Sequence, residues 1–201
     1  PETALSALEW VEQACLHLCE GQYLDMAFEQ QAQVPLARYL LMIEGKTAAL
    51  LSCAAAGGAL VGGAREESRA SFGRFGRELG LAFQIVDDIL GAWGDPAVTG
   101  KPAADDVRSR KKAFPLLYAL ESLAARGDGR LAALMAQPAL SEPDVQAALH
   151  LMGEVGARER ANALATEHTE HALAALEAAA PPSAEREALR DLAMRLVSRT
   201  S

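Results

Sequence analysis

Apolar residues recur at helical spacing along most of the chain, and the clearest stripe runs through its middle. The positions that form it lie three or four residues apart: Phe72, Phe75, Leu79, Phe83, Val86 and Leu90. Such spacing places side chains on one face of an α-helix. We therefore predict a helix from about residue 65 to Trp93 with this face turned toward a core. Within it, Gly76 and Gly80 predict the close approach of a neighbouring element.

Prolines, glycines and capping residues divide the rest of the chain into further helices. We predict a first helix over about residues 3–30 and a second that opens at Pro35 and continues into the small-residue run 52–58. Later helices are predicted over 115–123, from a cap at Ser141, over 158–180 and from Ser183. Composition agrees, because 42 alanines stand against 12 valines and isoleucines together. The sequence predicts an all-α fold, with residues 1–201 as one domain.

Two adjacent carboxylates interrupt the most apolar part of the central helix. Asp87 and Asp88 lie inside the run 80–93, and a buried carboxylate must be paired, hydrogen-bonded or bound to a cation. Gln84 shares a helix face with Asp88, and Asp87 flanks it. Three oxygen-bearing side chains one turn apart could hold a hard cation. Simple structural pairing of the two carboxylates remains the alternative.

A loop and a run of cations follow this helix directly. Residues 94–102 contain two prolines and two glycines, which predicts a loop. Four cations then fall within five residues, 108–112. Such a run usually forms a solvated face, although its position after the carboxylates allows an anion clamp.

Net charge limits the classes of partner. The chain carries a formal charge of −8, which argues against general affinity for nucleic acid or acidic membranes. Its best apolar run, 50–64, is short and rich in Gly and Ala, so no membrane span is predicted. Cys15, Cys19 and Cys53 form no disulfide framework, and the start of the chain does not resemble a signal peptide. We therefore expect a cytoplasmic protein.

Two pairs of potential metal ligands lie one helical turn apart outside the central helix. Leu5, Leu8, Val11 and Cys15 follow helical spacing and predict an apolar face on the first helix. Cys15 and Cys19 are therefore interpreted as small buried apolar residues rather than as a metal pair. His168 and His171 stand among glutamates, and their spacing differs from that of helical zinc-protease motifs. We interpret the histidines as an exposed polar face.

Carboxylates and isolated lysines together suit a magnesium-bound phosphate ester. Mg2+ takes one or two carboxylates from a protein and fills its other positions with water and phosphate oxygens. The lysines that could neutralise the remaining phosphate charge are Lys46, Lys101 and Lys111. An acidic chain can bind an anion in this way.

Several segments in order along the chain carry a family resemblance. Residues 80–90 (GLAFQIVDDIL), followed by 94–101 (GDPAVTGK), resemble the second aspartate-rich region of the trans-isoprenyl diphosphate synthases, or polyprenyl synthetases. Gly21-Gln22 with Asp25 is similar to that family's Gly-Gln-x-x-Asp element, and Lys46-Thr47 to its Lys-Thr pair. The stretch 106–115 is similar to the family's segment after the Gly-Lys loop. The resemblance covers nearly the whole chain and implies an isoprenoid-synthase-type helical bundle, here a partial one.

The resemblance also implies a reaction and roles for the site residues. The reaction is ionisation of an allylic diphosphate, attack by the double bond of isopentenyl diphosphate, and loss of a proton. Asp87 and Asp88 are expected to hold Mg2+, with Asp25 and Asp106 acting through water, and Asp87, Asp88 and Lys46 are expected to be catalytic. The residues expected to bind the diphosphate are Gln22, Lys46, Thr47, Gln84, Lys101 and Lys111. A homodimer is implied as well.

The chain departs from the family pattern at three places. Gly91 stands where the second motif often has a third aspartate, and Ala113 where a threonine is usual. Nothing in the chain matches the family's first aspartate-rich motif. We therefore expect the 201 residues to be inactive alone, as a fragment or as a chain whose site is completed by another. A terpene cyclase on the same fold and a non-catalytic partner subunit of a heteromeric prenyltransferase remain alternatives.

Overall fold

The computed structural model describes residues 2–100 and 102–198, and every regular element in these ranges is helical. The all-α prediction is confirmed. The α-helices are α1 (Glu2–Glu29), α2 (Leu36–Ile43), α3 (Ala49–Val61), α4 (Glu66–Trp93), α5 (Pro96–Thr99), α6 (Asp105–Arg108), α7 (Phe114–Ala125), α8 (Arg130–Met135), α9 (Glu142–Glu154), α10 (Ala157–Ala179) and α11 (Ala184–Val197).

Helix α4 is the centre of the bundle and packs most extensively against α10 and α3. The predicted stripe faces the core, since Phe75, Leu79 and Val86 are buried. A Cβ atom at Gly76 would overlap the backbone of Leu51, and one at Gly80 would lie 2.5 Å from the Cα of Ala48. Larger residues would force α3 away from α4, so the predicted role of both glycines is confirmed.

The second predicted helix is interrupted by one turn of π-helix. Its first part, α2, ends at Ile43, the π-helical segment covers Glu44–Ala48, and α3 continues from Ala49. Apolar periodicity does not reveal such a turn, because it changes the hydrogen-bond register without interrupting the run of helical residues. π-Turns are frequent at functional sites, and this one carries Lys46 and Thr47.

Helix α1 has the predicted extent, but its predicted apolar face is not buried. Leu5, Leu8 and Val11 are 51–60% exposed, and Cys15 and Cys19 are exposed too. The interpretation of these two cysteines as buried residues is therefore wrong. The helix packs on its neighbours through other positions, among them Ala14 and Phe28. Helical spacing identifies an apolar face without showing what covers it.

The segment after residue 113 forms a scaffold around the carboxyl end of α4. Helices α7, α8 and α9 share a cluster of buried residues that includes Leu116, Leu131 and Val145. The predicted caps are present: Ser141 forms a capping box with Asp144, and the Ser183 side chain accepts a hydrogen bond at the start of α11.

Among the described residues, one helical run is long and apolar enough to cross a membrane, and the sequence analysis did not identify it as a candidate span. Leu36–Val61 is 26 residues long with a hydropathy of 1.3, enough to cross a membrane by length and composition alone. Core helices pass the same test. In this run Glu44 and Lys46 form ion pairs with residues of α4 and α1, which ties the run to the bundle.

Candidate active site

Helix α4 presents Gln84 to the π-helical segment and Asp88 to the start of α7, and its two adjacent carboxylates differ in burial and in hydrogen bonding. Asp87 is half-buried, and no residue in 2–100 or 102–198 forms a hydrogen bond with its carboxylate. Asp88 is 1% exposed. Asp87 and Asp88 are adjacent in the sequence, but their side chains therefore differ in burial and in hydrogen bonding.

Hydrogen-bond donors contact both oxygens of the Asp88 carboxylate. Its Oδ2 accepts hydrogen bonds from the Tyr39 hydroxyl and, at 2.9 Å, from the Phe114 amide. Its Oδ1 lies 3.3 Å from the Lys111 ammonium and 3.4 Å from the Gln84 amide nitrogen. Direct ligation of Mg2+ by Asp88 does not fit this geometry, because its lone pairs are already occupied. The structure favours pairing for Asp88, the alternative that the sequence left open.

Burial and the neighbouring charges shift the pKa values of the groups in this network. Burial raises the pKa of the Asp88 carboxyl, and Lys111, Tyr39 and the Phe114 amide offset the effect only in part. Burial and the Asp88 carboxylate together hold the pKa of the Tyr39 hydroxyl well above its usual value. Burial alone would lower the pKa of Lys111, but Asp88 and Asp106 outweigh it, so the pKa is raised and the ammonium stays charged.

Lys111 joins Asp88 to a second buried acid. Its ammonium lies 3.1 Å from Asp106 Oδ2, and the Asp106 side chain is only 8% exposed. A Cβ atom at Gly91 would overlap the Asp106 carboxylate. Asp106 thus occupies the space beside the position where the family motif often places an acid.

The π-helical segment brings a second ion pair to the site. The Lys46 ammonium lies 2.5 Å from Asp25 Oδ2 on α1, and both side chains keep partial contact with solvent, at 33% and 23% exposure. A Cβ atom at Gly21 would overlap the backbone of Lys46, so α1 can approach this turn because residue 21 lacks a side chain. The Gly-Gln-x-x-Asp and Lys-Thr elements therefore meet, as the sequence predicts.

Thr47 connects the π-helical segment to α4. Its hydroxyl lies 2.8 Å from Gln84 Oε1, and the Gln84 amide points to Asp88. Lys46 and Thr47 are consecutive, and the partner of Thr47 on α4, Gln84, lies about one helical turn before the half-buried Asp87. This arrangement has the charges and donors that a metal-bound diphosphate requires.

Other predicted site residues stand apart from this network. Gln22 is exposed on α1, one turn before Asp25. Lys101 lies outside the described residues. Lys111, which was expected to contact diphosphate, pairs with Asp88 and Asp106.

The run of cations after the loop does not form an anion clamp. Arg108 lies 2.5 Å from Glu142, and Arg110 donates to the backbone carbonyls of Gln137 and Pro138. These side chains do not form a purely solvated face either. Arg108 links α6 to the start of α9, and Arg110 links the turn after α6 to the residues that follow α8.

A cavity of about 640 Å3 opens between α1, α3 and α4. Small apolar residues line much of it, including Ala14, Ala49 and Ala56, and Gly21 and Gly45 bring its wall next to Lys46. The small-residue run of α3, residues 52–58, therefore both packs closely on α4 and forms a wall beside an open space.

Sequence reasoning missed Tyr39. In the sequence it reads as an ordinary core aromatic of α2, and it is indeed 1% exposed. Only the fold places its hydroxyl against Asp88, 49 positions later. A buried tyrosine requires a hydrogen-bond partner, which was the available signal.

Comparison with known proteins agrees with the fold and with the family resemblance. The family model for polyprenyl synthetase matches residues 2–152. A geranylgeranyl diphosphate synthase of Mycobacterium tuberculosis is 43% identical over 173 residues, which cover 86% of this chain and 49% of that protein. A (2E,6E)-farnesyl diphosphate synthase of Mycobacterium bovis is 38% identical over 198 residues, 96% of this chain and 55% of that protein.

Solved structures show the same relationship. The crystal structure of a polyprenyl synthetase from Streptomyces coelicolor A3(2) superposes with a TM-score of 0.90 at 35% identity, over 98% of this chain and 60% of that one. A geranylgeranyl pyrophosphate synthase from Corynebacterium glutamicum, solved with isoprenyl diphosphate and magnesium, gives a TM-score of 0.88 at 28% identity, over 99% and 57%. The chain belongs to the polyprenyl synthetase family, and it spans about half the length of the curated relatives it matches.

Proposed function

We propose that this chain forms the diphosphate-binding part of a prenyltransferase that condenses an allylic diphosphate with isopentenyl diphosphate. The observation that carries the proposal is the meeting of two elements at the π-helical segment, where Lys46 pairs with Asp25 and Thr47 donates to Gln84, three residues before Asp87 on α4. Membership in the polyprenyl synthetase family and the names of the relatives support the substrate class.

The donor set around Asp87 fits Mg2+. Hard cations prefer carboxylate and water oxygens, and Asp87 is a half-buried carboxylate with no hydrogen bond from the described residues. We assign the protein ligand to Asp87 and a water-mediated contact to Asp25, which lies next to Lys46. When bound, Mg2+ neutralises charge on the diphosphate. The presence of magnesium in the C. glutamicum synthase structure supports the choice of ion.

The remaining residues orient and stabilise the diphosphate. Lys46 supplies a partly exposed positive charge. Thr47 supplies a hydroxyl, which also donates a hydrogen bond to Gln84. In the proposed reaction the bond between C1 and oxygen breaks, and the electron pair leaves with the diphosphate. The double bond of isopentenyl diphosphate then forms a new carbon–carbon bond at C1, and a proton is lost. Preorganised cations stabilise the charge that develops on the leaving group.

The cavity is proposed to hold the apolar chain of the allylic substrate. Small side chains such as Ala14, Ala49 and Ala56 form an apolar part of its wall, against which that chain would pack. Polar side chains also line the cavity, and among them Glu44 and Arg77 pair with each other.

A cytoplasmic location and assembly with further polypeptide complete the proposal. The three cysteines are free thiols, consistent with a reducing compartment. The exposed apolar residues of α1 suit contact with further polypeptide, either in a homodimer or with a chain that supplies the first aspartate-rich motif.

Product analysis tests the reaction. The protein is incubated with Mg2+, an allylic diphosphate and labelled isopentenyl diphosphate, with and without a relative's polypeptide that carries the first motif. We expect a product one isoprene unit longer only when that polypeptide is present. Product formed without isopentenyl diphosphate would instead support a cyclase, and turnover by the 201 residues alone would overturn the expected dependence on a polypeptide that carries the first motif.

A further inference from the structure

A cluster of three potential metal ligands lies on α4 and α10, away from the candidate active site. Glu78 of α4 faces His168 and His171 of α10, and one ligand atom from each lies within 4.8 Å of the others. His168 Nδ1 lies 2.6 Å from Glu78 Oε2, and His171 Nδ1 lies 3.9 Å from the same oxygen. The sequence-based interpretation of an exposed polar face is wrong for His168, whose side chain is only 17% exposed.

Rigid elements hold the three side chains. The two histidines are three residues apart, so they project from the same face of α10. Helix α10 packs on α4 through a buried cluster that contains Leu79 and Ala172, each next to a member of the site. A site built on packed helices keeps its geometry better than one built on loops.

The distances suit a small transition-metal ion. Zn2+ binds histidine nitrogen and carboxylate oxygen at about 2.0–2.2 Å, which places tetrahedral ligand atoms about 3.3 Å apart. The two measured separations, 2.6 and 3.9 Å, bracket that value. Side-chain movements below about 1 Å would therefore complete the coordination.

The surroundings leave one Glu78 oxygen and an entry path available. Arg77 lies 2.5 Å from Glu78 Oε1 and also pairs with Glu44, so it orients the Glu78 carboxylate with Oε2 toward the histidines. His171 is 61% exposed, which opens the cluster to solvent and leaves space for a water ligand.

We propose that Glu78, His168 and His171 form a binding site for Zn2+ or a similar divalent transition metal. This site is separate from the Asp87 site in position and in chemistry, because two nitrogen ligands disfavour Mg2+, which requires oxygen. The bound ion joins α4 to α10 and so stabilises the helix that carries the active-site aspartates. The proposal does not depend on the prenyltransferase assignment.

Cobalt absorption and thermal unfolding test the site directly. The metal-free 201-residue chain is titrated with Co2+, which absorbs in the visible range when it is tetrahedrally coordinated, and then with Zn2+ as competitor. We expect one equivalent to bind and Zn2+ to displace it. At about a hundredfold excess over the dissociation constant, we expect Zn2+ to raise the Tm by about 5–10 °C.

Variants distinguish this site from scattered surface binding. His171→Ala removes a mostly exposed ligand and should lower the affinity at least about tenfold while the apo Tm stays unchanged. His150→Ala removes a histidine that is 79% exposed and is the matched control, expected to bind like the parent.

Two outcomes would overturn the proposal. One is the absence of a saturable Co2+ spectrum, which would leave His168 and Glu78 as a hydrogen-bonded pair. The other is equal metal affinity of the parent and His171→Ala.

Discussion

The carboxylate of Asp106 lies against the α-carbon of Gly91, in the space that a side chain at position 91 would occupy. Gly91 departs from the acidic residue often found there in the family, and Asp106 is paired with Lys111 close by. The absence of a side chain at position 91 therefore allows Asp106 to point inward.

A larger residue at position 91 should destabilise the protein. We expect Gly91→Asp to lower the free energy of unfolding by about 1–3 kcal/mol, because Asp106 must turn away and a second acid enters the same space. Urea unfolding measures the change. Restoring the family's acid would thus not strengthen Mg2+-dependent binding of diphosphate, and a gain in binding would contradict this account.

The coupling itself is measured by a double-mutant cycle. Gly91→Ala combined with Asp106→Ala should cost less than the sum of the single changes, because the second truncation removes the overlap. We expect a coupling energy of about 1 kcal/mol. Additive effects would mean that the two residues do not compete for space.

Asp87 and Asp88 should respond differently to truncation. Asp88→Ala leaves the Tyr39 hydroxyl and the Phe114 amide without their shared acceptor, so we expect a loss of about 3 kcal/mol in unfolding free energy. Asp87→Ala should change stability by less than about 1 kcal/mol. Equal losses in urea unfolding would show that both carboxylates serve the same structural purpose.

Alkaline conditions should weaken the fold through Tyr39 and Lys111. Both pKa values are raised in the folded state, so the folded chain keeps protons that the unfolded chain releases above pH about 10. Stability is full below that range and falls as the pH rises through it. Unfolding measured between pH about 8 and 11 tests this slope.

Tyrosine variants show the origin of the alkaline slope. Tyr39→Phe should flatten it because one of the retained protons is lost, whereas Tyr23→Phe, at a position 72% exposed, should leave it unchanged. A slope that survives Tyr39→Phe and Lys111→Met together would assign it to other groups.

Lys46 should matter for binding rather than for folding. Its ion pair with Asp25 is partly solvated, and such pairs contribute about 0–1 kcal/mol to stability. We expect Lys46→Met to keep the Tm within a few degrees but to weaken pyrophosphate binding at least about tenfold. Calorimetric titration measures the affinity, and an unchanged value would remove Lys46 from the proposed site.

Local sequence pattern predicted the long helices, and the family resemblance predicted that Asp25, Lys46, Thr47 and Gln84 belong to one site. Helical periodicity located α4, and the resemblance to a known family assembled residues far apart in the chain. Neither periodicity nor the resemblance could separate the roles of Asp87 and Asp88. That difference arises from hydrogen-bond donors on α2 and at the start of α7. The Tyr39 hydroxyl and the Phe114 amide reach Asp88 only after the bundle has formed.

The same limitation explains the errors at the surface. Cys15 was expected to be buried because its spacing fits an apolar stripe, yet periodicity does not specify a neighbour to cover it. His168 was expected to be exposed because its sequence neighbours are charged, yet Glu78 meets it from 90 positions away. Long-range contacts decide both cases.

Magnesium-dependent binding of pyrophosphate tests the central claim most directly. Isothermal titration calorimetry compares the parent chain, Asp87→Asn and Asp191→Asn, an exposed carboxylate on α11, each with and without Mg2+. We expect weak binding that Mg2+ strengthens in the parent and in Asp191→Asn but not in Asp87→Asn. Equal gains from Mg2+ in all three proteins would contradict a diphosphate site built on Asp87.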